Sequence, residues 1–270
     1  MKKRVLLSMS LIVLTILMLT GCSTGNKTKS NTDQEEYFAD KDFLKDLASG
    51  LEKRWDKANE YNNDDLFDDA DKFIEHTEEC INIELGALSK YKNEKFEDSK
   101  LQEKAISYIN CLNDSLLTLD YAKSDFPKYS EDWEKYYNER SKLIASFYND
   151  FGLEVKESYE KTLKDFLNNA KTVESKEQQK EAINAMVNQI QYECIEDSYG
   201  WRTYSAVIEN TTGTDFSTIS FNINLLDSDN VIVESTYASV NNFGNGQKAR
   251  IEFSTNKDFA SVDTKVNWQE

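Results

Sequence analysis

The sequence predicts a multidomain chain: an all-α up-down helical bundle followed by an all-β sandwich. Three observations predict it. Apolar residues recur at helical spacing as far as about residue 189, and alternate with polar ones beyond it. One proline stands among many Lys, Glu, Asn and Asp, a composition that favours helices. The separators after residue 191 are rich in Gly, Asn and Asp, which supply positive φ and local side-chain bonds to turns.

The helical part, residues 37–188, divides at polar breaks. A first helix opens near Asp42, a potential N-cap, and carries Phe43, Leu44, Leu47, Leu51 and Trp55 on one stripe. YNNDD at 61–65 ends it. A second helix carries Leu66, Ala70, Phe73, Thr77, Ile81, Leu85, Leu88 and Tyr91. KNEKFE at 92–97 turns the chain into a third, with Leu101, Ala105, Tyr108, Leu112, Leu116 and Leu119. Pro127 is expected to break helix continuity. Ser130 then starts a fourth helix with Trp133, Tyr137, Arg140, Ile144, Phe147 and Phe151, closed by Gly152. A fifth holds Val155, Tyr159, Leu163, Phe166 and Ala170, and a short sixth surrounds Ala182, Met186 and Ile190. Short connections make successive helices antiparallel.

In residues 189–270 the runs YECIE, RTYSAVIEN, TISFNINLLD, VIVESTYASV, ARIEFS and SVDTKVNW read as strands. Six short strands at regular spacing predict an antiparallel sandwich. Within them, Ile223-Asn224-Leu225-Leu226-Asp227 resembles the FxLYD domain, a small Ig-like module of exported bacterial proteins. Val207-Ile208-Glu209-Asn210 with Gly213 matches that family's strand-then-turn segment, and Phe243-Gly244-Asn245-Gly246 resembles the turn before its penultimate strand. Ile223 and Leu226 stand where the motif has Phe and Tyr; both replacements are apolar. The resemblance implies an Ig-like fold over about 75 residues, and no activity, cofactor or ligand.

The chain opens MKKRVLLSMSLIVLTILMLTGC. Lys2, Lys3 and Arg4 precede an apolar run over 5–19, shorter than the roughly 20 residues of a membrane span. This pattern is an export signal. Leu19, Thr20, Gly21 and Cys22 resemble the lipobox of bacterial lipoproteins. That resemblance implies lipidation of Cys22, with residues 1–21 removed as the signal peptide and the protein held on the extracytoplasmic face of the cell membrane. Two acyl chains anchor stably where one does not. Residues 22–36 have no large apolar side chain and read as a flexible tether of about 20 Å.

The formal net charge is −17, and loss of three basic residues with the signal leaves −20. Such a balance excludes nucleic acid as a partner, because phosphate has to be met by Lys and Arg. The expected partners are the membrane, through the lipid, and an unidentified envelope or extracellular protein. Cys80 and Cys111 lie equidistant from the turn at 92–97, so a disulfide between them is geometrically plausible after export. Two buried thiols are the alternative. His76 and Cys80 are spaced i, i+4, but the spacing is common and no metal is assigned. No nucleophile elbow, zincin motif or phosphate-binding loop occurs, so neither catalytic residues nor a cofactor are assigned. The acids at Asp64, Asp65, Asp68, Asp69 and Asp71 lack the turn glycine of a calcium loop. Together these features point to a lipid-anchored, non-enzymatic binding or interaction module. A cell-envelope hydrolase or metal-dependent enzyme, and protective capture of a cationic toxin or peptide, are the alternatives.

Overall fold

Hydrophobic stripes and caps place five helices among the described residues. The computed structural model describes residues 37–60 and 69–269, and the chain from Phe38 onward forms one unit. The signal, the tether and Cys22 lie outside the described residues, as do Leu19, Thr20 and Gly21.

α1 (Asp40–Asn59) buries Phe43, Leu47, Leu51 and Trp55, a strict i, i+4 stripe. It begins at Asp40 rather than after Asp42. The Asp40 carboxylate serves a different helix: it accepts the backbone N–H groups of Glu97 (2.8 Å) and Asp98 (2.9 Å), just ahead of α3. α2 (Ala70–Leu88) is capped by Asp69, whose side chain accepts from the N–H groups of Asp71 and Lys72. Asp98 caps α3 (Ser99–Thr118) in the same way. α4 (Phe126–Phe151) starts seven residues ahead of Trp133. Pro127 does not interrupt a helix; it occupies the first turn, where its missing N–H is no loss, behind the N-cap Asp125. Gly152 ends α4 in the left-handed conformation at φ 75°, and the Leu153 N–H returns to the Phe147 carbonyl at 2.9 Å.

The largest departure from expectation is α5 (Glu160–Val187). It is one 28-residue helix where two were expected. The polar stretch KTVESKEQQKEA at 171–182 has no apolar stripe, yet its Lys, Glu and Gln residues are good helix formers and carry the helix through.

Each helix packs on the next in sequence. Their shared core is aromatic at one end: the Phe43 ring meets Tyr91, Phe96 and Phe147 edge-on at 5.3, 5.7 and 5.4 Å.

Six strands follow: β1 (Glu193–Ser198), β2 (Trp201–Glu209), β3 (Phe216–Leu226), β4 (Ile232–Phe243), β5 (Lys248–Thr255) and β6 (Ser261–Gln269). They form two antiparallel sheets, ordered β1-β2-β5 and β4-β3-β6. Tyr199 and Gly200, at φ 51° and 80°, make the two-residue turn between β1 and β2. Strand alternation sends Ile219, Phe221, Ile223 and Leu225 of β3 inward against Ala206 and Ile208 of β2 and Ile251 and Phe253 of β5. Ile183, Met186 and Val187, from the last turns of α5, are buried in this same core. The boundary expected at 188/189 therefore follows the end of the helix, but the helix end belongs to the core of the β part.

Candidate functional site

The most unusual chemistry lies inside the helical core. Glu84 of α2, Tyr108 of α3 and Arg140 of α4 all sit on buried stripes between apolar neighbours. Glu84 is fully buried and Arg140 is 4% exposed. Tyr108 donates its hydroxyl proton to Glu84 Oε2 at 2.5 Å and accepts from Arg140 Nε at 3.0 Å. Arg140 Nη2 donates to Glu84 Oε1 at 2.5 Å, and Arg54 Nη1 of α1 reaches the same oxygen at 3.2 Å. The Arg140 guanidinium also lies 4.8 Å from the centre of the Phe166 ring on α5. Side chains from α1, α3 and α4 thus converge on one buried carboxylate of α2, and α5 contributes the ring that covers Arg140.

The electrostatics follow from this geometry. Burial acts to raise the Glu84 pKa, but Arg140, Arg54 and the Tyr108 hydrogen bond together hold it below the usual carboxylate value. Burial, seconded by the Glu84 charge, pushes Tyr108 well above a normal phenol, so it remains a neutral donor. For Arg140, burial disfavours the cation; Glu84 and Tyr108 outweigh it and the pKa rises. Arg54 moves the other way, lowered by burial and by the Arg140 charge, which outweigh Glu84. A carboxylate committed to three donors has little capacity to take a proton from a substrate. The cluster is built to hold helices in place, and its ion pairs lie too deep for acid–base turnover.

The expected cysteine pair is not bonded. Cys80, Cys111 and Cys194 are free, the first two buried and the third exposed. Cys80 and Cys111, on consecutive helices, have different neighbours. Cys80 Sγ is 3.8 Å from His76 Nε2 on its own helix, whereas Cys111 Sγ donates to the Tyr136 carbonyl on α4 at 3.4 Å. Burial raises both thiols, Cys111 to about 12. Among the described residues no group of three His, Cys, Asp or Glu side chains is arranged to hold a metal ion. Cys194 is on the outside of β1.

Sequence reasoning placed Arg140 and Tyr108 on apolar stripes but gave neither a role. The usable signal was a guanidinium on a core stripe, which demands a buried carboxylate from another helix. Glu84 could not be singled out among 49 acidic residues.

No family model matches the chain, and no curated protein matches it. A solved structure that is similar is the Pseudomonas fluorescens alkylpurine DNA glycosylase AlkC, bound to DNA containing an abasic site analog. It is 12% identical, spans 81% of this chain and 74% of that one, and has a TM-score of 0.19. The functional expectation drawn from the sequence is corrected here. The comparisons return nothing that supports a binding or interaction module, an envelope hydrolase or metal-dependent enzyme, or capture of a cationic toxin, and none of these is carried further. At a TM-score of 0.19 the likeness transfers no glycosylase activity either.

Proposed function

We propose that this chain is exported, anchored by lipid at Cys22, and serves as a stiff two-core spacer in which a helical bundle carries an Ig-like, FxLYD-like sandwich above the membrane. The observation that carries the spacer reading is α5. Its first half buries Leu163 and Phe166 in the core of the helices, with Ala170 also buried beside α3 and α4, and its end buries Ile183, Met186 and Val187 among the strands. Ala170 and Ile183 are separated by about 20 Å of helix, at about 1.5 Å per residue. A helix sunk at both ends transmits orientation, whereas a coil linker of the same length does not. Lys142 of α4 bonds Glu177 at 2.9 Å and braces the exposed middle of the helix.

The Ig-like, FxLYD-like reading is supported by the meeting of two segments that carry the resemblance. Buried Asn210 donates to the Thr214 and Phe243 carbonyls at 2.8 and 2.9 Å. Its own carbonyl accepts from the Gly246 N–H at 2.7 Å, and Asn245 Oδ1 accepts from the Gly213 N–H at 3.0 Å. The turn after β2 and the turn before β5 are thereby stitched together. The anchoring reading rests on Leu19, Thr20, Gly21 and Cys22 together with the basic and apolar segments ahead of them. It is tested by feeding a labelled fatty acid to bacteria that make the wild-type chain or Cys22→Ala. The reading expects label and membrane retention in the wild type and loss of both in the variant. A wild-type chain that stays unlabelled contradicts it.

A further inference from the structure

Asn245-Gly246 is the one Asn-Gly pair in the sequence. It lies exposed at the tip of the turn between β4 and β5. Asparagine ahead of glycine is chemically labile, because a residue without Cβ leaves its backbone nitrogen open to attack the neighbouring side-chain amide. The fold opposes that attack in four ways. The Gly246 N–H donates to the Asn210 carbonyl at 2.7 Å, which occupies the nucleophilic nitrogen. Asn245 Oδ1 accepts from the Gly213 N–H at 3.0 Å, which ties the electrophilic amide to the neighbouring turn. The Asn245 N–H donates to Asp215 Oδ1 at 2.7 Å. The turn itself is closed by the Gln247 N–H on the Gly244 carbonyl at 3.0 Å. Asn245 keeps a negative φ and Gly246 has φ 78°, which makes the turn type II. That type sets ψ of its second residue at about +120° and so carries the Gly246 nitrogen away from the Asn245 side chain. The two stitched turns are both connections between the sheets, β2 to β3 and β4 to β5.

We propose that Asn245 is a site of spontaneous deamidation that the stitched turns hold closed, so that isoaspartate forms there only when this end of the β part opens. In the open turn the Gly246 nitrogen gives its proton to hydroxide and attacks Asn245 Cγ. The new N–Cγ bond forms, the side-chain amide C–N bond breaks, and ammonia leaves with a proton from solvent. Water then opens the cyclic imide. Hydrolysis at the former side-chain carbonyl gives aspartate. Hydrolysis at the main-chain carbonyl gives isoaspartate, with the chain now running through Cγ. No electrons are exchanged, and water is the co-reactant. Aspartate at this position keeps an acceptor for the Gly213 N–H, so the turn can close again. Isoaspartate inserts a methylene into the main chain between Gly244 and Gly246. The Gly246 N–H then no longer meets the Asn210 carbonyl, and the opening is made permanent.

The full chain is aged at one mildly alkaline pH, folded in buffer and unfolded in guanidinium chloride. Isoaspartate at residue 245 is followed by electron-transfer mass spectrometry of its peptide. The folded chain is expected to be modified at least about tenfold more slowly, since local opening has to break several hydrogen bonds first. Asp215 is exposed, so its replacement leaves the core intact. Asp215→Ala removes the acceptor for the Asn245 N–H. It is expected to raise the folded rate about three- to tenfold, the worth of one hydrogen bond, and to leave the unfolded rate unchanged. Asp215→Asn keeps an acceptor oxygen and is expected to stay close to the wild type. Equal rates for the folded and unfolded wild-type chain overturn the proposal. So does an Asp215→Ala chain that is modified in the folded state no faster than the wild type.

Discussion

Replacing Glu84 by Gln is the sharpest perturbation of the helical core. The substitution keeps the volume and removes one charge. It also places an amide donor where Tyr108, Arg140 and Arg54 all donate. Arg140, almost wholly buried, is left without its counterion. Breaking a buried pair from one side costs about 3–5 kcal/mol, because the remaining charge is stranded in a low-dielectric interior. For a unit of this size about 1 kcal/mol moves a thermal midpoint by about 2–4 °C, so the expected drop is about 6–20 °C. The assay is urea unfolding followed by circular dichroism in the helical band. In an Arg140→Met background the same Glu84→Gln change should cost at least about 1 kcal/mol less, since much of the penalty belongs to the stranded cation. A loss under about 1 kcal/mol in the wild-type background would refute the view that Glu84 organises the core.

The same carboxylate gives the chain a pH dependence of predictable sign. Its folded pKa lies below the ordinary value near 4.5, so below that value the unfolded chain binds more protons than the folded one. The Glu84 contribution is therefore complete above about pH 4.5 and drains away as pH falls toward the lowered folded value. Urea midpoints measured through this window should decline less steeply in Glu84→Gln than in the wild type. In a Cys22→Ser chain, a disulfide-exchange reagent should titrate Cys194 fast in the native state and reach Cys80 and Cys111 only on unfolding, because burial keeps both as protonated thiols. Three fast thiols would contradict the burial. Gly152→Ala should destabilise by about 1–2 kcal/mol through the left-handed backbone alone, as a Cβ there meets no atom within 4 Å. Equal urea midpoints for the two chains would contradict that strain.

Most of the β part was legible because its signals are local. The run TISFNINLLD read as one strand, in which the structure turns Ile219, Phe221, Ile223 and Leu225 to one face, and turn residues such as Asn210, Asp227 and Gly246 stand at strand ends. The helical stripes were equally plain where apolar residues recur. What escaped is what stripes do not record. The middle of α5 carries no apolar face, so its continuity rests on backbone propensity and on cores at either end. Pro127 was readable as a helix boundary, but its position after Asp125 made it the opening of α4 rather than a gap before it. Cys80 and Cys111 were placed level along their helices, yet level positions do not fix rotation about the helix axes. Glu84 is one acid among many, and only the three-dimensional meeting of α1, α2, α3 and α4 distinguishes it.

The central claim is that α5 holds the helical and β parts in one fixed relation. The most direct measurement is a pulsed electron-spin distance between labels at Lys164 on α5 and Ser239 on β4, both exposed, with Cys22 and Cys194 replaced by Ser. The account predicts a single narrow distance distribution. It also predicts that Lys176→Pro, in the exposed middle of α5, broadens that distribution, since proline breaks a helix interior at a cost of about 3 kcal/mol. A broad distribution in the chain without proline would contradict the claim and leave two cores joined by a hinge.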